Sequence, residues 1–346
     1  MSAIKVSKPV PSSVWASPPD PTSLKDKSIL ITGGSGGLGA AFVETFASAG
    51  AYVTFVDVKE EMGNELASRL QSEGCKTQFV RADVTDWTEL TQAFKSAIRF
   101  SPTGDTIDHV IINAGLLDGP FFTGFDAPLE SLDVDPPQPD IGPIEVNVKG
   151  AMYTLKLAQL YMGMNPSSWQ PGSKSIIFIL SPECYWTLPG FVTYAGAKFG
   201  TRGLFRASRE MMACKGIRVN GLSPALMETP QTIHVREALQ AVGAAFTPIE
   251  EHVTLATHLL VNESIVGRAI SAQFRLIGGE VATKPEDRYM DLQDDEEGYD
   301  AGKIWWEWAR KAAPKGDEPE EEILRGLFAM LYQNLGFDID AKSPRF

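Results

Sequence analysis

Ile29-Leu30-Ile31-Thr32-Gly33-Gly34-Ser35-Gly36-Gly37-Leu38-Gly39 is the stretch on which the fold of this chain turns. An apolar run of strand character meets a glycine cluster, and a helical pattern follows through Ala40, Ala41, Phe42, Val43, Phe46 and Ala47. Strand, glycine turn and helix make the first half of a dinucleotide-binding βαβ unit. One glycine allows the sharp turn, one lets the backbone approach a pyrophosphate, and one lets helix and strand pack closely. The helix N-terminus offers unpaired N–H groups and a positive dipole end to the phosphates. A glycine loop alone also fits an ordinary turn that binds nothing, so the rest of the chain has to decide.

Downstream, strand and helix patterns alternate. Lys27 to Ile31, Tyr52 to Val56, Thr77 to Val80, His109 to Ile112, Lys174 to Leu180, Ile217 to Leu222 and Ala269 to Ile277 read as strands. Helical patterns run over Gly39 to Ala49, Lys59 to Glu73, Trp87 to Ile98 (capped by Thr85 or Asp86), Ile144 to Tyr161 and Tyr194 to Cys214. Such alternation predicts an α/β, Rossmann-like, doubly wound parallel sheet with right-handed crossovers. Asp57 closes the second strand about 20 residues past the glycine loop, where an acid can accept both ribose hydroxyls of NAD and repel the extra phosphate of NADP. Lys59 is the only nearby cation.

The chain has 346 residues, 43% of them hydrophobic, enough for one α/β domain with additions. A Pro- and Ser-rich leader over 1–25, extended on the domain or disordered, has Trp15 as its one docking candidate. The domain proper spans 26–280, and an acidic, Trp-containing helical extension occupies 281–346. A net charge of −13 argues against nucleic acid or an anionic membrane as the main partner. Cys75, Cys184 and Cys214 have neither disulfide-framework nor metal-ligand spacing, and the four histidines form no zinc motif. No metal is expected. The N-terminus lacks an apolar signal core, which predicts a soluble, cytoplasmic protein.

Tyr194 and Lys198 are four residues apart on a helical pattern and so share a face. A free phenol, with a pKa of about 10, is a poor base at neutral pH. A neighbouring ammonium stabilises the phenolate and brings it toward the working range. Tyr194 would then exchange a proton with a substrate hydroxyl or carbonyl while hydride moves to or from a nicotinamide, and the Ser181 hydroxyl would polarise the substrate oxygen.

Thr32-Gly33-xxx-Gly37-x-Gly39, Asn113-Ala114-Gly115, Asn147, Ser181 and Tyr194-xxx-Lys198 occur in the order and spacing of the short-chain dehydrogenase/reductase superfamily, which the chain resembles over residues 25 to 280. The runs Ile144 to Gly150 and Tyr194 to Gly200 look most like its NAD-dependent hydroxyprostaglandin dehydrogenase-like branch. The resemblance implies catalysis by Asn147, Ser181, Tyr194 and Lys198, with Lys198 also on the nicotinamide ribose and Asn147 on a water-linked proton path. It implies cofactor binding by Gly33, Ser35, Gly37, Leu38, Gly39, Asp57 and Ala114-Gly115. It sets Asp83 and Val84 at the adenine, Asn113 near the adenosine ribose, and Met227 and Thr229 on the nicotinamide side. NAD is the expected cofactor, NADP the less favoured one. A homodimer or homotetramer through the helices of Asn147 and Tyr194 is implied, unless the tail blocks that surface.

Two departures stand out. Pro224-Ala225 replaces the usual Pro-Gly, adding a methyl where the nicotinamide would lie, and Ser181 is followed by Pro182-Glu183, which either stiffens the serine loop or misplaces it. They motivate an alternative: a non-redox lyase, isomerase or cyclase on the same fold, or a nucleotide-sensing binding protein. Phe121, Phe122, Trp186, Leu188, Phe191, Met227 and Phe246 are pocket candidates and predict a small apolar or aromatic alcohol or ketone. The long Pro-rich segment 116–143 leaves the ligand side of the sheet. In the extension, Ile304-Trp305-Trp306-x-Trp308 and Ile323-Leu324-xx-Leu327-Phe328 have helical spacing. Those faces are expected to pack on the domain and close part of the pocket, with a subunit contact or a membrane as the alternatives.

Overall fold

The computed structural model describes residues 4–117, 121, 131–165, 167–185, 187, 191–227, 229, 232, 246–272, 276–277, 280–281 and 289–292. The apolar run before the glycine loop is β1 (Ser28–Thr32), and every residue of it is buried. Its parallel neighbours are β2 (Tyr52–Asp57) on one side and β4 (His109–Ile112) on the other. With β3 (Lys76–Arg81), β5 (Lys174–Ile179), β6 (Ile217–Pro224), β7 (Ala269–Ala272) and β10 (Tyr289–Asp291) they form an eight-stranded sheet in the order β3-β2-β1-β4-β5-β6-β7-β10. All neighbours are parallel except β10, which runs antiparallel to β7. A separate antiparallel ribbon pairs β8 (Leu276–Ile277) with β9 (Glu280–Val281).

Alternation along β1 sets the two cores. Ile29 and Ile31 face α1 (Gly37–Ser48), α2 (Glu60–Ser72) and α6 (Ile249–Val261), packing with Phe42, Phe46, Leu66 and Leu259. Leu30 faces α3 (Trp87–Phe100), α4 (Ala151–Met162) and α5 (Val192–Ala213), packing with Phe94, Leu157 and Phe205. A central parallel strand needs both faces covered, and it reads as a continuous apolar run because both are. Asp86 caps α3, its carboxylate accepting the Thr88 and Glu89 N–H groups at 2.8 Å.

Three element readings need correction. The strand read over Ala269 to Ile277 stops at Ala272, which pairs with Pro224, the last residue of β6. Beyond that point the parallel partner ends. The sheet is completed by β10, whose residues 289–291 lie past the boundary drawn at 280; Asp291, on this strand, is held by Arg268, 23 residues away. The helix read over Ile144 to Tyr161 opens as a wide π-helical turn, Ile144–Gly150, before α4. Asn147 sits in that turn. Its side-chain Oδ1 accepts the Leu116 N–H at 2.7 Å, its Nδ2 donates to the Leu116 carbonyl at 2.9 Å, and its own carbonyl accepts from Thr201 Oγ1 at 2.8 Å. These pulls from outside the helix widen the turn, a common event at functional positions.

The leader lies on the domain. Ile4 N–H donates to the Ala213 carbonyl at 3.0 Å and Ser7 N–H to that of Val266 at 2.8 Å, and Trp15 is buried against His258 and Tyr289. Among the described residues no helix is long and apolar enough to cross a membrane. The expected tail helices and their closure over the pocket lie outside the described residues.

Candidate active site

A cavity of about 500 Å³ opens at the C-terminal ends of the parallel strands, running from Asp57 past the β1/β4 reversal of strand order to Ser181 and Pro224. Such a reversal is where open α/β sheets bind ligands. The glycine loop forms one wall. Gly33 has φ +66°, and a Cβ there would come within 2.7 Å of Ala114 Cα; on Gly39 it would lie 2.0 Å from the Gly33 carbonyl oxygen. The loop is therefore closed to side chains where it meets β4 and the start of α1. Asn113 braces it, Nδ2 donating to the Thr32 and Gly33 carbonyls at 2.9 and 2.8 Å, while Thr32 Oγ1 accepts the N–H groups of Asn113 and Ala114 at 3.0 and 3.1 Å. Asn113 thus lines the cavity with its amide hydrogens committed to the loop.

At the β2 end, Asp57 Oδ2 accepts the Ser35 N–H at 3.1 Å and Oδ1 accepts the Lys59 N–H at 3.1 Å. Ser35 Oγ is buried with no hydrogen-bond partner among the described residues. An orphaned hydroxyl on a glycine cradle at a helix N-terminus, beside a carboxylate, fits the phosphate and ribose of a dinucleotide. Asp83 and Val84 line the same end. Asp83 Oδ1 accepts the Thr85 N–H at 2.8 Å, and Glu89 Oε2 accepts the Asp83 N–H at 2.8 Å, which fixes the wall.

At the other end the helix α5 presents Tyr194, half-buried, and Lys198, buried, to the cavity. Lys198 Nζ lies 5.5 Å from the Tyr194 ring centroid and donates to the Ile179 and Leu180 carbonyls at 3.1 and 3.4 Å. Burial pulls the Lys198 pKa below the usual lysine value, partly opposed by Cys184 and Glu183. Ser181 caps the short 3-10 turn Pro182–Cys184, its Oγ accepting the Glu183 N–H at 3.2 Å. That bond uses an acceptor site and leaves the O–H to donate. Pro182 occupies the first position of the turn, so this departure stiffens the serine loop. Cys184 Sγ donates to the Lys198 carbonyl at 3.2 Å and Arg202 Nη1 donates to the Cys184 carbonyl at 3.2 Å, tying the serine turn to α5. The Cys184 thiol, pushed up to about 11 by burial, is an inert packing group.

Tyr194, Lys198 and Ser181 therefore meet on one cavity, with Gly33, Gly37, Leu38, Gly39, Asp57, Asp83, Val84, Asn113, Ala114, Gly115, Met227 and Thr229 on its walls. Asn147 and Ser35 are not among the lining residues: Ser35 is buried with its N–H on Asp57, and both polar ends of the Asn147 side chain hold Leu116. Of the pocket candidates, Phe191 and Met227 line the cavity, Phe121 is exposed, and Phe246 is half-buried outside the lining. Phe122, Trp186 and Leu188 lie outside the described residues. Ala225 does line the cavity. Sequence reasoning missed Val146, Leu116, Leu226 and Thr232 as lining residues and Glu183 as a buried carboxylate on the wall. Only Glu183 had a signal, as the odd residue after Ser181-Pro182.

Comparison with known proteins places these observations in context. A family model described as short chain dehydrogenase matches residues 27–240. 5'-hydroxyaverantin dehydrogenase of Dothistroma septosporum is 37% identical over 293 residues, covering 80% of this chain and 90% of that one. 5'-hydroxyaverantin dehydrogenase stcG of Emericella nidulans is 35% identical over 300 residues, covering 82% and 93%. Among solved structures, 3-ketoacyl-(acyl-carrier-protein) reductase from Brucella melitensis complexed with NADH superposes with a TM-score of 0.60 at 22% identity, covering 72% of this chain and 96% of that one. That likeness bears on the fold alone.

Proposed function

This chain belongs to the short-chain dehydrogenase/reductase family, and from that premise we propose that it is an NAD(H)-dependent oxidoreductase interconverting a secondary alcohol and a ketone on an apolar or aromatic small molecule. An oxidoreductase acting on CH–OH groups is what family and relatives support. The observation that carries the finer reading is the convergence of Tyr194, Lys198 and Ser181 on the cavity that also holds Asp57.

In the oxidising direction the Ser181 hydroxyl donates to the substrate oxygen, held in place by the bond its Oγ accepts from Glu183 N–H. Tyr194, as phenolate, takes the proton of the substrate hydroxyl. The Lys198 ammonium, 5.5 Å from the ring, favours that phenolate. A bound nicotinamide supplies the hydride acceptor, so the alcohol loses a hydride and a proton and becomes the ketone. The glycine loop and the α1 N-terminus would hold the pyrophosphate, and Asp57 would hold the ribose hydroxyls. The likeness to the hydroxyprostaglandin dehydrogenase-like branch supports the NAD preference only. The two relatives named for 5'-hydroxyaverantin make that alcohol the first substrate to assay.

The test follows nicotinamide absorbance with purified protein, 5'-hydroxyaverantin and a panel of apolar and aromatic secondary alcohols, with NAD+ and NADP+ in parallel. Substrate-dependent reduction, faster with NAD+, is expected. Tyr194→Phe should lower kcat by about 10²- to 10⁴-fold with the NADH Kd within about twofold of wild type. A Tyr194→Phe enzyme that turns over normally overturns the assigned role.

A further inference from the structure

One buried polar pair outside the reacting groups is left unexplained by the chemistry above. His252, in the first turn of α6, and Thr247, two residues before that helix, are both buried. His252 Nε2 lies 2.8 Å from Thr247 Oγ1, and Thr247 Oγ1 lies 3.0 Å from the Leu226 carbonyl oxygen, to which the Thr247 N–H also donates at 2.8 Å. A carbonyl only accepts, so the threonine proton goes to Leu226. The imidazole must then donate from Nε2–H into the oxygen of Thr247, which fixes its tautomer. One backbone carbonyl thus receives two donors from one residue, and a histidine holds the side-chain donor in its rotamer.

The carbonyl so held belongs to the wall. Leu226 follows Ala225, the position with a methyl in place of the family's glycine, and Ala225, Leu226, Met227, Thr229 and Thr232 all line the cavity. Within this wall Thr232 Oγ1 donates to the Met227 carbonyl and lies 2.9 Å from the Thr229 N–H, which donates to it. Thr229 and Thr232 are thus tied to each other and to Met227, and the Thr247 bond joins Leu226 to a residue just ahead of α6, 21 positions along the chain.

We propose that Thr247, oriented by His252, is a positioning residue for the nicotinamide side of the cavity: it sets where Ala225, Leu226 and Met227 stand and thereby accommodates the extra Ala225 methyl. The proposal rests on the cofactor reading above. It predicts a split. The adenosine end is built on the glycine loop, Asp57 and Val84, whereas the clamp bonds directly to Leu226 on the nicotinamide side.

The experiment compares wild type, Thr247→Val and Thr247→Ser by titration with NADH and with ADP-ribose, which lacks the nicotinamide. Valine keeps the shape and the backbone bond but loses the hydroxyl; serine restores it. Thr247→Val should weaken NADH about tenfold, the scale of one lost buried hydrogen bond. ADP-ribose affinity should stay within about twofold and Thr247→Ser should recover the wild-type NADH value. Thr247→Ala gives the same contrast should the valine variant prove insoluble. Unchanged NADH affinity in Thr247→Val overturns the proposal, as does equal weakening of NADH and ADP-ribose, which marks a general structural role. Wild-type protein that binds ADP-ribose but neither NADH nor NADPH refutes the cofactor reading itself and the clamp with it.

Discussion

Asp57 is held from both sides before any ligand arrives. One oxygen accepts from the glycine loop at Ser35 and the other from Lys59, the first residue of the following turn. A carboxylate so fixed cannot swing away from a second anion, and Lys59 is the only cation adjacent in sequence. A phosphate on the ribose 2′ position would therefore sit against a fixed like charge, while free hydroxyls would find acceptors. Asp57→Ala should strengthen NADPH about tenfold and weaken NADH by a similar factor, read as two Kd values by fluorescence titration. An unchanged NADH/NADPH ratio refutes the ribose role. At this scale the sequence located the residue on the cavity, because that place depends on its distance from the glycine loop along the chain. Tyr194 and Lys198 were legible for the same reason, since the helical repeat alone puts positions i and i+4 on one face. Val146 and Thr232 reach the cavity through tertiary packing, and no local spacing announces them.

Elements show where local pattern stops being sufficient. The π-helical turn at Ile144–Gly150 has the same apolar spacing as an α-helix; Leu116 and Thr201, both remote in sequence, widen it. β10 has only three residues, too few for any periodicity, and its place is set by pairing with β7. β5 carries a charge that its pattern hides as well. Lys174, at the first position of this strand, is buried, with Nζ donating to the Met162 carbonyl at 2.9 Å and to Thr106 Oγ1, over the Trp169 ring. Burial, opposed by Asp108 and Asp105, pulls its pKa down to about 8. The sign follows from proton counting. Between about 8 and 10.5 the unfolded chain holds this proton and the folded one does not, so folding stability from this group rises with pH across that window. Below the window the desolvation cost is fully present. Lys174→Met removes the titration. Its stability relative to wild type should therefore fall by about 2 kcal/mol from pH 7.5 to pH 10, whatever its constant offset from the unpaired Met162 carbonyl. Urea melts at four pH values check this, and a difference independent of pH refutes it.

At the scale of the whole molecule, the N-terminal leader and β10 hold the far edge of the sheet. The leader composition left two outcomes open, an extended lining or disorder, because a Pro- and Ser-rich segment has no periodicity of its own. What decides between them is distant: Trp15 fills a site between His258 and Tyr289, with ring centroids 5.2 and 6.1 Å away. The lock on this edge is ionic. Arg268 on the approach to β7 donates Nε to Asp291 Oδ2 at 2.8 Å, its Nη2 forms an ion pair with Oδ1 at 2.7 Å, both side chains are almost wholly buried, and Val10 N–H of the leader donates to the same Oδ2 at 2.9 Å. Three segments thus meet on one carboxylate. Replacing either charge alone strands the other in a low-dielectric site, which costs about 3–5 kcal/mol, whereas replacing both removes the charges together. Arg268→Met and Asp291→Leu should each destabilise by that amount. The double variant should lose clearly less than the sum, leaving a coupling of at least about 2 kcal/mol in a denaturation cycle. Any variant lacking Asp291 should also release the leader, seen as faster proteolysis before Trp15. Additive losses, or a leader as protected without Asp291 as with it, would mean that the apolar seat of Trp15 holds the edge and the ion pair is incidental.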